Sequence, residues 1–208
     1  MATNMNTGLG RTDVRRVDQV CDARLATVNR IARLVVDGET GLARLHRLSN
    51  AAVELSSIMI LQIGHIIQVD LSETISKRAT VVASDNDRHT LLFQHQIDCA
   101  ELLRELVAEA RSARARPLRL TTPATPAVGR STNGLHQLEL GNISQRGMMV
   151  RHNGSFQEGL RVWVQLPNGR ECRGVVRWAK DEFAGLELID ILSVNELGAI
   201  SELGRGMN

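Results

Sequence analysis

Asn142-Ile-Ser-Gln-Arg-Gly147 separates two short apolar runs, Leu138–Leu140 and Met148–Val150. Downstream, Leu160-Arg-Val-Trp-Val-Gln-Leu166 alternates and puts Leu160, Val162, Val164 and Leu166 on one face. That period of two is the mark of a half-buried strand. Pro167-Asn168-Gly169 follows, and Asn-Gly beside alternating apolar residues signals a hairpin. Gly147–His152, Arg173–Trp178 and Phe183–Ile189 read as further strands. Several short strands at this spacing predict a closed or nearly closed β-barrel. Two neighbouring stretches read differently. Thr121–Gly134, rich in Thr, Pro, Ala and Gly, predicts a mobile loop between the first and second strands. The tail Leu192–Leu203 has helical apolar spacing at Leu192, Leu197, Ile200 and Leu203.

The barrel occurs twice. A shift of 95 residues (144 − 49) carries Ser49 onto Ser144, Gly64 onto Gly159, Val69 onto Val164 and Leu71 onto Leu166. The same shift carries Arg78 onto Arg173, Val81 onto Val176 and Leu91 onto Leu186. It extends upstream to Arg24-Leu25 on Arg119-Leu120 and downstream to Glu101-Leu102 on Glu196-Leu197. One ungapped register over so long a stretch implies duplicated domains joined near residue 110, and its period is too long for a solenoid. The expected organisation is a disordered polar lead-in over 1–10, one domain over 11–110 and a second over 111–208. The first domain ends in an amphipathic helix within Ile97–Ala113, with Leu102, Leu103, Leu106, Val107 and Ala110 as its apolar positions. The expected fold is therefore mainly β: two tandem small barrels, each followed by an α-helix.

Composition narrows the function. With 208 residues, 43% of them hydrophobic, the chain suits one large or two small globular domains. A formal charge of +2 does not indicate a polyanion-binding protein. Lys77 and Lys180 are the only lysines among 25 basic residues. GC-rich coding accounts for that bias, although arginine also suits guanine and phosphate recognition. No apolar run is long enough to span a bilayer, and Met1–Gly10 lacks the apolar core of a signal peptide. Cys21, Cys99 and Cys172 are odd in number and far apart, as expected of reduced thiols in a cytoplasmic protein, and no pair has zinc-ligand spacing.

Nothing points to catalysis. His46, His65, His89, His95, His136 and His152 are scattered, without metal-ligand spacing. Ser144 lacks a nucleophile elbow, and no His or Asp is placed to activate it. Phosphate-cradling glycine loops are absent. We expect no enzyme, no metal and no cofactor.

The hexapeptide, the strand order and the glycines Gly159, Gly174 and Gly185 together resemble the PilZ domain over roughly residues 111–204. The family is a small β-barrel, split-barrel in type, whose best-known ligand is the bacterial second messenger cyclic di-GMP. The resemblance implies two binding elements. One is an Asn/Asp-x-Ser-x-x-Gly segment, matched by Asn142, Ser144 and Gly147. The other is an Arg-x-x-x-Arg segment before the first strand. Arginine forks can bind guanine O6 and N7 or a phosphate, and can stack on a base. Asn and Ser meet a polar base edge without adding charge, and Gly is expected to permit a turn that a side chain would obstruct.

Arg111-Ser-Ala-Arg114-Ala-Arg116-Pro-Leu-Arg119 stands where the second element belongs, but none of its arginines are four apart. Arg111 and Arg114, with Arg116 in reserve, are the expected ligand arginines; the alternative is that they solvate a helix end and favour its negative pole. The first copy has a correctly spaced pair, Arg11 and Arg15. Yet Arg47, Ser49 and Ala52 replace Asn142, Ser144 and Gly147 there, so it is a degenerate copy. It serves as a structural or partner-docking domain, or sends Arg11 and Arg15 across to the second. The expected function is a cyclic di-GMP receptor coupling binding to domain reorientation and an unknown protein partner; the alternative is a divergent tandem PilZ protein that binds no nucleotide and acts through protein contacts, and a third reading is a nucleic-acid-binding protein. Near-neutral charge and few aromatics weigh against the last.

Overall fold

The computed structural model describes residues 26–112, 116–154 and 156–199. Its first half is a closed six-stranded antiparallel barrel: β1 (Ala26–Val36), β2 (Glu39–Leu48), β3 (Ala52–Ser56), β4 (Ile66–Asp70), β5 (Ser76–Asp85) and β6 (Arg88–Phe93). The strands run around it in the order β1-β2-β3-β6-β5-β4, and β4 closes on β1 through Arg33↔Asp70, Leu34↔Val69 and Val35↔Gln68. The second half repeats this with β7 (Leu120–Ser131), β8 (Gly134–Ser144), β9 (Gly147–Arg151), β10 (Arg161–Gln165), β11 (Glu171–Lys180) and β12 (Phe183–Leu188). From β2 onward, every strand start, and every strand end but that of β2, reappears 95 residues later, as Glu39 and Gly134 illustrate (134 − 39). Even the irregularities repeat. The register slips between Leu45 and Arg47 and between Leu140 and Asn142, and again between Val81 and Ala83 and between Val176 and Trp178.

Each barrel closes over its own apolar core. Leu34, Leu45, Leu55, Ile67, Val81 and Leu91 are fully buried in the first, and Leu140, Ile143, Met148, Val164 and Val176 in the second. A helix, α1 (Cys99–Arg111), covers one end of the first barrel with Cys99, Leu102 and Leu106. Asp98 caps it, its carboxylate accepting from the Glu101 amide at 2.9 Å, and Arg111 lies in the last turn, where the helix dipole favours a cation.

Two expectations need correction. Thr121–Gly134 is not a loop: its residues lie in β7 up to Ser131 and in the hairpin to β8. A bulge between Thr121 and Thr125 takes up Pro123, and its polar groups are satisfied locally, with Thr122 donating to the Leu140 carbonyl and Thr125 to the Pro123 carbonyl. Pro126 sits where β7 pairs with β8 alone, since β10 joins only from Val128, so its missing N–H costs no ladder bond on that side. The tail of the second barrel, within the described residues, forms one turn at Val194–Leu197 and no helix; Ile200 and Leu203 lie outside those residues. The Pro167-Asn168-Gly169 hairpin forms as expected, with the left-handed conformation at Gly169 (φ 82°).

The barrels interlock. Leu42 of β2 is buried in the core of the second barrel, and its amide donates to the Leu197 carbonyl at 2.8 Å. In return Ala199 is buried in the core of the first. Gly41 packs directly on the Gly198 carbonyl, where a β-carbon would have no room.

Candidate functional site

The hexapeptide is the β8–β9 connection, and its residues divide by direction. Ile143 points into the core. Ser144 is also buried, and its hydroxyl donates to the Gly147 carbonyl at 3.1 Å, tying the turn. Ser49 makes the equivalent tie to Ala52 at 3.4 Å and accepts from the Ala52 amide at 3.0 Å. Since the barrel lacking Asn and Gly keeps this serine, the tie serves the turn. Gly147 does not take a positive φ, so turn conformation is not what requires glycine there. A β-carbon on it would stand 3.0 Å from the Leu186 carbonyl oxygen, tight but not prohibitive, and Ala52 fills the position in the first barrel. Gln145 anchors the tail, its side chain donating to the Leu192 carbonyl at 2.9 Å and its own carbonyl accepting from the Leu192 amide.

Asn142 faces outward, half-buried, and its Oδ1 accepts from Arg119 Nη1 at 3.1 Å. Its Nδ2 reaches only the Met149 sulfur, at 3.7 Å, a weak acceptor. Arg119 Nε is buried without a hydrogen-bond partner. Along the ladder, Asn142 pairs with Met149, Met149 with Gly185, and Gly185 with Trp178. Trp178 is 44% exposed and lays its indole over Gly185, in the space a β-carbon would take. The outer wall of the second barrel thus carries one row: a guanidinium and an amide with spare donors, then a thioether, then an aromatic face. Such a row offers hydrogen-bond donors to an acceptor-rich ligand edge and an apolar surface to a ring beside it.

Next to this row the joint between the barrels opens into a cleft of about 450 Å³. Arg30 of β1, Glu109 and Ala110 of α1, Arg116, and Gln145 line it. Of the sequence candidates, Arg116 lies in the cleft, exposed and without a polar partner among the described residues. Arg111 is exposed at the end of α1 and does not line it. Arg11, Arg15 and Arg114 lie outside the described residues. Asn142, Ser144 and Gly147 flank the cleft only through Gln145.

Arg119 was not among the candidates, although its place was legible. It immediately precedes Leu120, the first buried residue of β7, and the repeat aligns Arg24 with it. Met149 was missed because it reads as one more apolar residue of its run. The marked pKa shifts lie away from the row. Arg173 grips Asp190 through two bonds of 2.8 and 2.6 Å and holds its carboxyl down at about 2, while burial pushes the Cys172 thiol up to about 11. Among the described residues no group of three or more His, Cys, Asp or Glu is placed to hold a metal ion.

Residues 110–203 match the family model described as the PilZ domain. A comparison with curated proteins finds no match. A comparison with solved structures finds, among others, three bacterial proteins. The PlzA protein of Borreliella burgdorferi in complex with c-di-GMP is 12% identical with a TM-score of 0.37, covering 93% of this chain and 100% of its own. The inhibitor of motility MotI/DgrA of Bacillus subtilis is 18% identical with a TM-score of 0.31, covering 81% and 91%. YcgR of Escherichia coli in complex with c-di-GMP is 13% identical with a TM-score of 0.29, covering 88% and 84%.

Proposed function

We propose, from the match of residues 110–203 to the PilZ domain model, that the protein is a receptor for cyclic di-GMP whose binding surface is the outer row of the second barrel and the adjoining cleft. The supporting observation is Arg119. Its guanidinium is fixed on Asn142 by Nη1 while its buried Nε–H has no acceptor. A buried donor left unsatisfied is costly, on the order of 1–3 kcal/mol, and a side-chain shift that turns it to an acceptor-rich ligand relieves it. Guanine O6 and N7 or a phosphate oxygen supplies such an acceptor. Arg116 and Arg30 then face the ligand's second phosphate or base from the cleft, with Arg111 and Arg114 as further candidates on the same connection. Asn142 orients Arg119 and offers the amide hydrogen that its weak bond to the Met149 sulfur leaves over. Ser144 and Gly147 shape the turn beneath. Met149 and Trp178 give a purine ring an apolar neighbour.

The cleft is walled by β1 and α1 on one side and by residues 116–118 and Gln145 on the other. A ligand seated there touches both barrels, so it favours whichever relative orientation fits it best, and binding becomes a change in domain arrangement. The output is a contact with a protein partner in the cytoplasm. Among the described residues no helix is long and apolar enough to cross a membrane.

A second reading, a protein adaptor that binds no nucleotide, draws on a different observation. Ile60, Ile63 and Ile66 are exposed on and beside the β3–β4 connection, Ile60 by 87%. Large apolar side chains exposed within one short segment mark a contact surface. Thermal unfolding of the full chain with and without ligand separates the two. A ligand at 100 times its Kd adds about 2.7 kcal/mol of stability, a shift of several degrees. We expect that shift with cyclic di-GMP and none with GMP. No shift at millimolar cyclic di-GMP leaves the adaptor.

A further inference from the structure

We infer that Glu73 and Arg33 of the first barrel are positioning residues for the ligand surface of the second, acting on Arg119 through its peptide group; the inference rests on the receptor reading above. Arg119 precedes β7, whose pairing with β8 starts at Leu120↔Ile143, so its own backbone groups lie outside the sheet ladder. Both are nevertheless held from the first barrel. The Arg119 amide donates to Glu73 Oε1 at 3.1 Å, and its carbonyl accepts from Arg33 Nη1 at 2.7 Å.

The clamp is itself braced. Arg33 Nε donates to Asp70 Oδ2 at 2.8 Å, its Nη1 lies 3.3 Å from Glu73 Oε1, and Gln68 Nε2 donates to the other Asp70 oxygen at 2.8 Å. The Asp70 side chain is only 4% exposed, and Arg33 and Asp70 are direct partners on β1 and β4. The part-buried, charge-assisted Arg33–Asp70 bond holds geometry better than an exposed pair would, and Glu73 joins it from the exposed edge. An unbroken chain of hydrogen bonds therefore runs from the wall of the first barrel through the Arg119 peptide and guanidinium to Asn142.

The duplication sharpens the point. The positions of Arg33, Asp70 and Glu73 are taken in the second barrel by Val128, Gln165 and Asn168, so a barrel of this fold closes without the charged trio. Conversely, the first barrel lacks Asn and Gly in the motif. The trio belongs to the copy that lost the motif, and it is spent on the copy that kept it. With the Arg119 main chain clamped, its side chain is presented to the ligand with little freedom left to lose, which favours affinity.

The test is titration of cyclic di-GMP into the full chain, comparing wild type with Glu73→Ala and Glu73→Gln, each with its melting temperature. Gln keeps an oxygen for the Arg119 amide; Ala does not. We expect Glu73→Ala to weaken binding about tenfold or more, the scale of one charge-assisted hydrogen bond, and Glu73→Gln to recover most of that loss. Restoration by Gln at an unchanged melting temperature is not what a general structural role produces. Equal affinity in wild type and Glu73→Ala overturns the clamp, as does a loss shared by Ala and Gln in step with their melting temperatures. If wild type itself does not bind, the receptor reading fails and the clamp's function with it.

Discussion

Arg119 and Ser144 show how differently two residues of one small region act. Arg119 holds Asn142 on the outer wall and keeps a buried donor without a partner, and Ser144 uses its hydroxyl on the turn beneath. Replacing Ser144 by Ala should therefore cost about 1 kcal/mol of stability, the worth of one net hydrogen bond, and leave affinity for cyclic di-GMP unchanged. Denaturant unfolding and titration read the two separately, and a large affinity loss without a stability loss would return the hydroxyl to the ligand. Ser49→Ala in the first barrel should cost a similar amount, because the same tie is present there. The motif residues were legible in the sequence as a pattern, but their division of labour was not. Which way a side chain points depends on the register slip between Leu140 and Asn142, a feature of strand pairing and not of spacing. Arg119 escaped for a related reason: what distinguishes it from Arg111 and Arg116 is its place one residue before a strand, on the side facing Asn142.

At the scale of elements, strands with alternating apolar residues were readable, and β10 and β12 lie where alternation puts them. β7 was not readable, since its composition is that of a loop. Its inward positions are nonetheless regular, with Thr122, Thr125, Ala127 and Gly129 facing in and the phase changing once at the bulge. Small and polar inward residues hide the period that bulky ones announce. The Gly129 position shows why they are small, since a β-carbon there would crowd Leu138. The tie between β11 and the segment after β12 rests on charge. Arg173 lowers the Asp190 pKa to about 2, so the pair favours the folded state above the ordinary carboxylate range and loses that contribution as pH falls through about 2. We expect Asp190→Asn to flatten the fall of stability between about pH 4 and pH 2. Parallel acid-unfolding curves for wild type and variant would show the pair to be screened out in solution.

Over the whole molecule, the repeat in the sequence foretold two barrels, and the strands recur at the same 95-residue spacing down to the register slips. How the copies meet was not legible, because it depends on side chains exchanged between them. Leu42 enters the second core, Ala199 the first, and Gly41 and Gly198 let two backbones touch. Burial of a leucine is worth about 1.5–3 kcal/mol, so relative movement of the barrels must preserve or repay this contact. Gly41→Val should force the Gly198 backbone away, open the joint and increase protease cleavage near residues 112–116, while each barrel keeps its β signal in circular dichroism. Unchanged cleavage would mean that the joint tolerates the displacement.

The measurement that bears most directly on the central claim is isothermal titration of cyclic di-GMP into the full chain, beside Arg119→Ala and Asn142→Ala, with GMP as control. Low-micromolar or tighter binding to wild type, at least tenfold weaker in both variants, is the expected result. Binding that both variants leave intact, or no binding by wild type, would contradict the placement of the ligand on Arg119 and Asn142, and the second outcome would remove the receptor function altogether.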